Sequence, residues 1–81
     1  MSSGFTQLQA TLSGNIKRLR LERGLAQERL GLESGVDRTQ ASKIERCVTN
    51  PTLEAIYKIA QALGVPVSEL LTDRDDQPER E

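Results

Sequence analysis

Between Ser34 and Cys47 the sequence reads SGVDRTQASKIERC, and hydrogen-bonding side chains crowd into it, among them Arg38, Thr39, Gln40, Ser42 and Lys43. Only Ala41 and Ile44 are apolar in the stretch from Arg38 to Arg46. On a helix these two share one narrow face, and the rest of the surface presents amide, hydroxyl and cationic groups. A helix that needs only to be soluble more often carries Glu and Lys there. Taken alone, the run reads equally well as a solvated face or as a surface that hydrogen-bonds a partner.

Catalytic chemistry is poorly supplied. The chain has no His and a single Cys, Cys47, so no Ser-His-Asp or Cys-His pair, internal disulfide or Cys/His metal cluster can form. A carboxylate-only enzyme would have no Gly-rich phosphate loop beside it. An enzyme is therefore the least expected class, and no cofactor and no metal are expected. No apolar run approaches the roughly 20 residues of a membrane span, and no signal pattern opens the chain. A soluble protein of the prokaryotic cytoplasm, with no membrane partner, is the expectation.

The elements that must position this run follow from the apolar pattern. With 81 residues, one domain with a small core is expected. Leu, Ile, Val and Phe number 20, above the level of roughly a fifth that suggests disorder. Phe5, Leu8, Leu12, Ile16 and Leu19 fall on one helical face, predicting a helix from Thr6 or Thr11 to Arg23, stopped by Gly24. AQERLGLES predicts a short helix with Leu30 inward, ending at Gly35. Asp37 is a good N-cap for a helix from Arg38 to about Arg46. After the loop CVTN, Pro51 and Thr52 introduce a helix burying Leu53, Ile56, Ile59, Ala60 and Leu63. Pro66 opens a last short helix, PVSELL. Nothing alternates with period two. The expected fold is all-α, a compact five-helix domain.

Charge is uneven. The whole chain carries −1, but the tail Asp73–Glu81 holds five acids and two bases, which leaves +2 on residues 1–72. That weak basic excess permits nucleic-acid binding without demanding it. The expected division is an N-terminal extension at 1–10 able to continue the first helix, a domain at 11–72, and an acidic mobile tail at 73–81 that points away from any anionic partner.

The two short helices meet at ESGVD with three or four residues between them, which is helix-turn-helix spacing. Gly35 supplies the positive φ that the turn needs. Leu30, Gly31, Val36 and Ile44 are small or apolar where the helices must cross closely. From Leu12 to Leu71, about three quarters of the chain, the sequence resembles the Xre/Cro family of phage-repressor-like helix-turn-helix domains. NIKRLRLERGLAQERL, SGVDRTQASKIE and NPTLEAIYKIAQALGVPVSELL carry the resemblance, and DRTQASKIER is most similar to restriction–modification controller proteins.

The resemblance implies a lambda-repressor-like DNA-binding fold whose second short helix lies in the major groove. Arg38, Thr39, Gln40, Ser42 and Lys43 would then contact bases, and Gln27, Arg46, Thr49 and Asn50 would contact phosphates. Arg20 and Glu45 match a buried ion pair tying the first helix to the recognition helix. Relatives dimerise through the last helix. That implies a homodimer joined by Val65, Val67, Leu70 and Leu71, not all of which can turn inward, on double-stranded DNA with a pseudo-palindromic operator. A controller of a restriction–modification system binding its own promoter is the implied function. Alternatives are a phage or plasmid repressor, an antitoxin, or, in another class, a protein-interaction module.

Four residues depart from the family pattern. Ala26 replaces a capping Ser, Thr or Asn, a loss of about 1 kcal/mol. Gly31 and Ala41 replace larger residues and are expected to shrink the core where the helices cross. Cys47 replaces a frequent Gly, so either the loop path differs or the residue is strained by about 1 kcal/mol. A small apolar loop residue is a better account of Cys47 than a redox sensor.

Overall fold

Leu12, Ile16 and Leu19 recur at helical spacing, and all three are buried in α1 (Gly4–Glu22) of the computed structural model, which describes residues 4–73. The helix begins before Thr6 and ends one residue short of Arg23. It thus takes in all of the N-terminal extension that is described. Its first two turns overhang the core, so Phe5 and Leu8 remain 52% and 42% exposed. Gly14 faces open space on the outer surface.

The two short helices are α2 (Gln27–Ser34) and α3 (Arg38–Glu45). Gly35 lies in the left-handed region at φ 80° and its N–H donates to the Gly31 carbonyl, closing α2. Asp37 caps α3, its carboxylate accepting from the Thr39 N–H at 2.9 Å. Ala26 offers no side-chain cap to α2. Gly31 does not leave the crossing underpacked, contrary to the expectation from sequence. A Cβ there would lie 2.9 Å from the Val36 carbonyl oxygen, so backbone already fills the space and only glycine lets the turn close over α2.

Thr52 caps α4 (Leu53–Leu63) by accepting from the Ala55 N–H at 3.0 Å, and Pro66 precedes α5 (Val67–Leu71). The core stripe of α4 runs through Ile59, Ala60 and Leu63, with Ile56 half-buried at its edge. Leu53 is 73% exposed rather than buried. It stands one turn before Ile56, where the stripe has passed the edge of the core.

α1 packs against α3, α4 and α5, and α2 packs against α3 and α4. Leu30, Val36, Ala41, Ile44 and Leu70 join the α1 and α4 residues in one apolar cluster. Asn15, itself buried, donates from Nδ2 to the carbonyls of Leu70 and Thr72 at 2.9 Å and to that of Glu69 at 3.3 Å. One polar side chain of α1 therefore takes up the end of α5. Among the described residues no strand occurs, no buried side-chain N or O lacks a partner, and no helix is long and apolar enough to cross a membrane. Residues 74–81 of the acidic tail and residues 1–3 lie outside the described residues.

Candidate nucleic-acid interface

The site starts from the two apolar residues of α3. Ala41 and Ile44 are each 1% exposed, so they pin one face of α3 to the core and turn the opposite face outward. Arg38, Thr39 and Lys43 are exposed there, with Gln40 and Ser42 half-buried beside them. Arg38, Thr39, Ser42 and Arg46 line a single open groove with Ala26, Gln27 and Glu28 from the start of α2. The sequence-predicted residues 27, 38, 39, 42 and 46 are thus brought together. Lys43 and Gln40 lie outside the groove. Asn50 borders a different, apolar depression with Phe5, Leu8, Pro51, Ile56 and Leu71. Thr49 is half-buried, its carbonyl accepting from Gln9 Nε2 at 3.4 Å.

α1 fixes α3 through a row of polar side chains. Ser13 Oγ donates to the Ile44 carbonyl at 2.6 Å. Seven residues on, Arg20 grips Glu45 with two bonds, Nε to Oε2 at 2.6 Å and Nη2 to Oε1 at 3.1 Å. The two side chains are 10% and 3% exposed. Arg20 Nη1 also donates to the Leu25 carbonyl at 2.7 Å, in the turn before α2. A bidentate, charge-assisted pair of this kind sets orientation as well as distance, so the end of the donor-bearing helix is held against α1 in a fixed attitude.

Gln27 joins the same cluster. Its Nε2 donates to Glu45 Oε1 at 3.1 Å, a contact that sequence reading did not foresee, because residues 18 apart on different helices meet only once the turn has closed. Sequence reading also passed over Glu28, which lines the groove from the same first turn of α2. Its place in the first turn of α2, directly after Gln27, was the signal available.

Cys47 has φ 63°, so of the two alternatives for this residue the strained one applies. Its N–H donates to the Ile44 carbonyl and the Val48 N–H to that of Lys43, at 3.0 and 3.1 Å. This is a Schellman closure of α3 with Cys at the position that favours Gly. The thiol is exposed.

A polar, cation-bearing helix face set across the start of a second helix, through a tight glycine turn, defines a helix-turn-helix DNA-binding domain. The chain belongs to the helix-turn-helix family: the model HTH_3, described as helix-turn-helix, matches residues 16–70. It is an Xre/Cro-like transcription regulator, in a family of DNA-binding regulators rather than enzymes. It is 41% identical over 71 residues to the uncharacterized HTH-type transcriptional regulator y4dJ of Sinorhizobium fredii, covering 88% of this chain and 92% of that one. Among solved structures it is similar to the hypothetical transcription factor NHTF from Neisseria, with TM-score 0.83 and 36% identity over 91% of this chain and 85% of that one. It is also similar to the restriction-modification controller protein C.Esp1396I, solved as a tetramer with its natural 35 base-pair operator. There the TM-score is 0.71 with 34% identity, over 88% of this chain and all of that one.

Proposed function

We propose that this regulator is a dimer that reads a pseudo-palindromic operator with α3, and that it serves as the controller of a restriction–modification system acting at its own promoter. The observation that carries the reading is the groove in which Arg38, Thr39, Ser42 and Arg46 converge with the start of α2. Arg38, and Lys43 beside the groove, can donate to guanine O6 and N7. Thr39 and Ser42 can bond either base type, and Gln40 can bond adenine. Gln27, Arg46, Thr49 and Asn50 take the phosphate role, which sets register rather than sequence. Ala26 supports it: with no side chain occupying the first N–H groups of α2, those groups remain for a phosphate. The similarity to C.Esp1396I, solved on operator DNA, favours the controller subtype.

The two-fold contact is assigned to Val65, Val67 and Leu71, which are half-buried against the core and keep apolar surface outward. Leu70, expected from sequence in the same contact, takes no part in it. It is fully buried within one chain and cannot touch a second. Two-fold pairing would set the recognition helices about 34 Å apart, for half-sites one turn apart.

Selection of random duplexes by the purified protein at physiological salt, followed by sequencing, tests the reading. An enriched palindrome with two equivalent half-sites, found upstream of the protein's own gene beside an endonuclease gene, is the expected result. Binding without sequence preference would overturn it.

A further inference from the structure

Gln27 and Glu45 meet between the phosphate edge and the core, and their chemistry restricts each other. A carboxylate only accepts hydrogen bonds, so the Gln27 amide must turn its nitrogen, not its oxygen, toward Glu45 Oε1, 3.1 Å away. One of the two Nε2 protons is consumed by that bond and one is left. A free glutamine in water samples both amide orientations, and the reversed one would point an oxygen at an anion. Glu45 carries no uncompensated charge to the site, because Arg20 covers both of its oxygens. Arg20 also holds the Leu25 carbonyl, so the strand of chain entering α2 is tied to the same cluster.

Resting on the DNA-binding reading above, we infer that Glu45 is a positioning residue for phosphate binding. It fixes the Gln27 amide with one proton on the buried ion pair and the other directed to a DNA phosphate at the start of α2. The phosphate anchor on α2 and the base-reading face of α3 then move as one unit, since Glu45 is the last residue of α3. The anchor is also ordered before DNA arrives, which removes part of the cost of immobilising the side chain on binding.

The test is a double-mutant cycle on affinity, using the duplex enriched by selection and an unrelated duplex of equal length, at several salt concentrations. Folded fraction is checked by far-UV circular dichroism. Gln27→Ala is expected to weaken both duplexes by roughly tenfold, the loss of one charge-assisted hydrogen bond, and to leave the salt slope unchanged, because a neutral amide releases no counterion. Glu45→Gln turns an amide toward Gln27 and should weaken binding severalfold in the wild-type background but not in Gln27→Ala. An effect of Glu45→Gln that persists undiminished in Gln27→Ala would overturn the inference, as would a Gln27→Ala variant of unchanged affinity on a wild type that binds. A wild type that binds neither duplex overturns the DNA-binding reading itself. Should Glu45→Gln fail to fold, the side-chain amide resonances of Gln27 in the wild type decide the matter. Slow exchange of its Nε2 protons and a shift on adding the selected duplex support the inference, and unprotected, unmoved resonances overturn it.

Discussion

At the scale of single residues, Arg20 separates folding from binding. Its guanidinium is nearly buried and bonded to Glu45 and to a carbonyl, so Arg20→Ala leaves a carboxylate unpaired in the interior. The expected loss is about 3–5 kcal/mol, read from denaturant unfolding, whereas Arg29→Ala removes an exposed i,i+4 pair with Glu33 and should change stability by less than about 0.5 kcal/mol. Two other positions invert ordinary helix propensity. Gly31→Ala adds a good helix former, yet its methyl meets the Val36 carbonyl oxygen. A loss of about 1–3 kcal/mol is expected, because backbone cannot yield as a flexible side chain would. Cys47→Gly relieves a left-handed residue and should gain about 1 kcal/mol in the same assay. Asp37 and Gly35 were legible in the sequence because capping and turn chemistry are local. Arg20 and Glu45, 25 positions apart, were legible only through family resemblance. The close approach at Gly31 was not legible, since an empty Cβ position looks the same from sequence whether backbone or void lies behind it.

At the scale of elements, short helices depend on their ends. α2 has eight residues and an N-cap without a side-chain acceptor, while α3 and α4 are both capped. Ala26→Asp supplies the missing acceptor and should raise unfolding free energy by about 1 kcal/mol. The same change adds a second carboxylate to the groove beside Glu28 and occupies amides proposed to face a phosphate. DNA affinity should therefore fall as stability rises, most at low salt, as a titration with labelled duplex at two ionic strengths would show. A gain in both would mean that the start of α2 lies away from the DNA. The same scale explains what periodicity could not convey. Helix positions followed from apolar spacing, but Leu53 continued a stripe past the edge of the core. Gln9, Ser13 and Asn15 read as ordinary polar residues of α1. Their acceptors are backbone carbonyls of the α3–α4 loop, α3 and α5, and no side-chain pattern announces a carbonyl.

For the whole molecule the question is how a chain with a small core keeps a defined α5. Five residues are too few to hold a helix by themselves, and periodicity over so short a span could not say which of Val65, Val67, Leu70 and Leu71 turns inward. The packing answers with Leu70, fully buried, and with Asn15 bonding the carbonyls around it. That division separates two effects that would otherwise be confounded. Leu70→Ala empties a core site and should lower stability by about 2–5 kcal/mol, a large share of the roughly 5–15 kcal/mol available to a small domain. Val67→Lys and Leu71→Lys change partly exposed positions and should leave each chain folded while placing a charge in the proposed two-fold contact. Sedimentation at tens of micromolar should then show dimers for the wild type and folded monomers for the paired lysine variant, with affinity for a full palindrome reduced toward that for a half-site. A lysine variant that stays dimeric and holds the full palindrome would move the two-fold contact to another face, with the depression formed by Phe5, Leu8, Pro51 and Ile56 the next place to test.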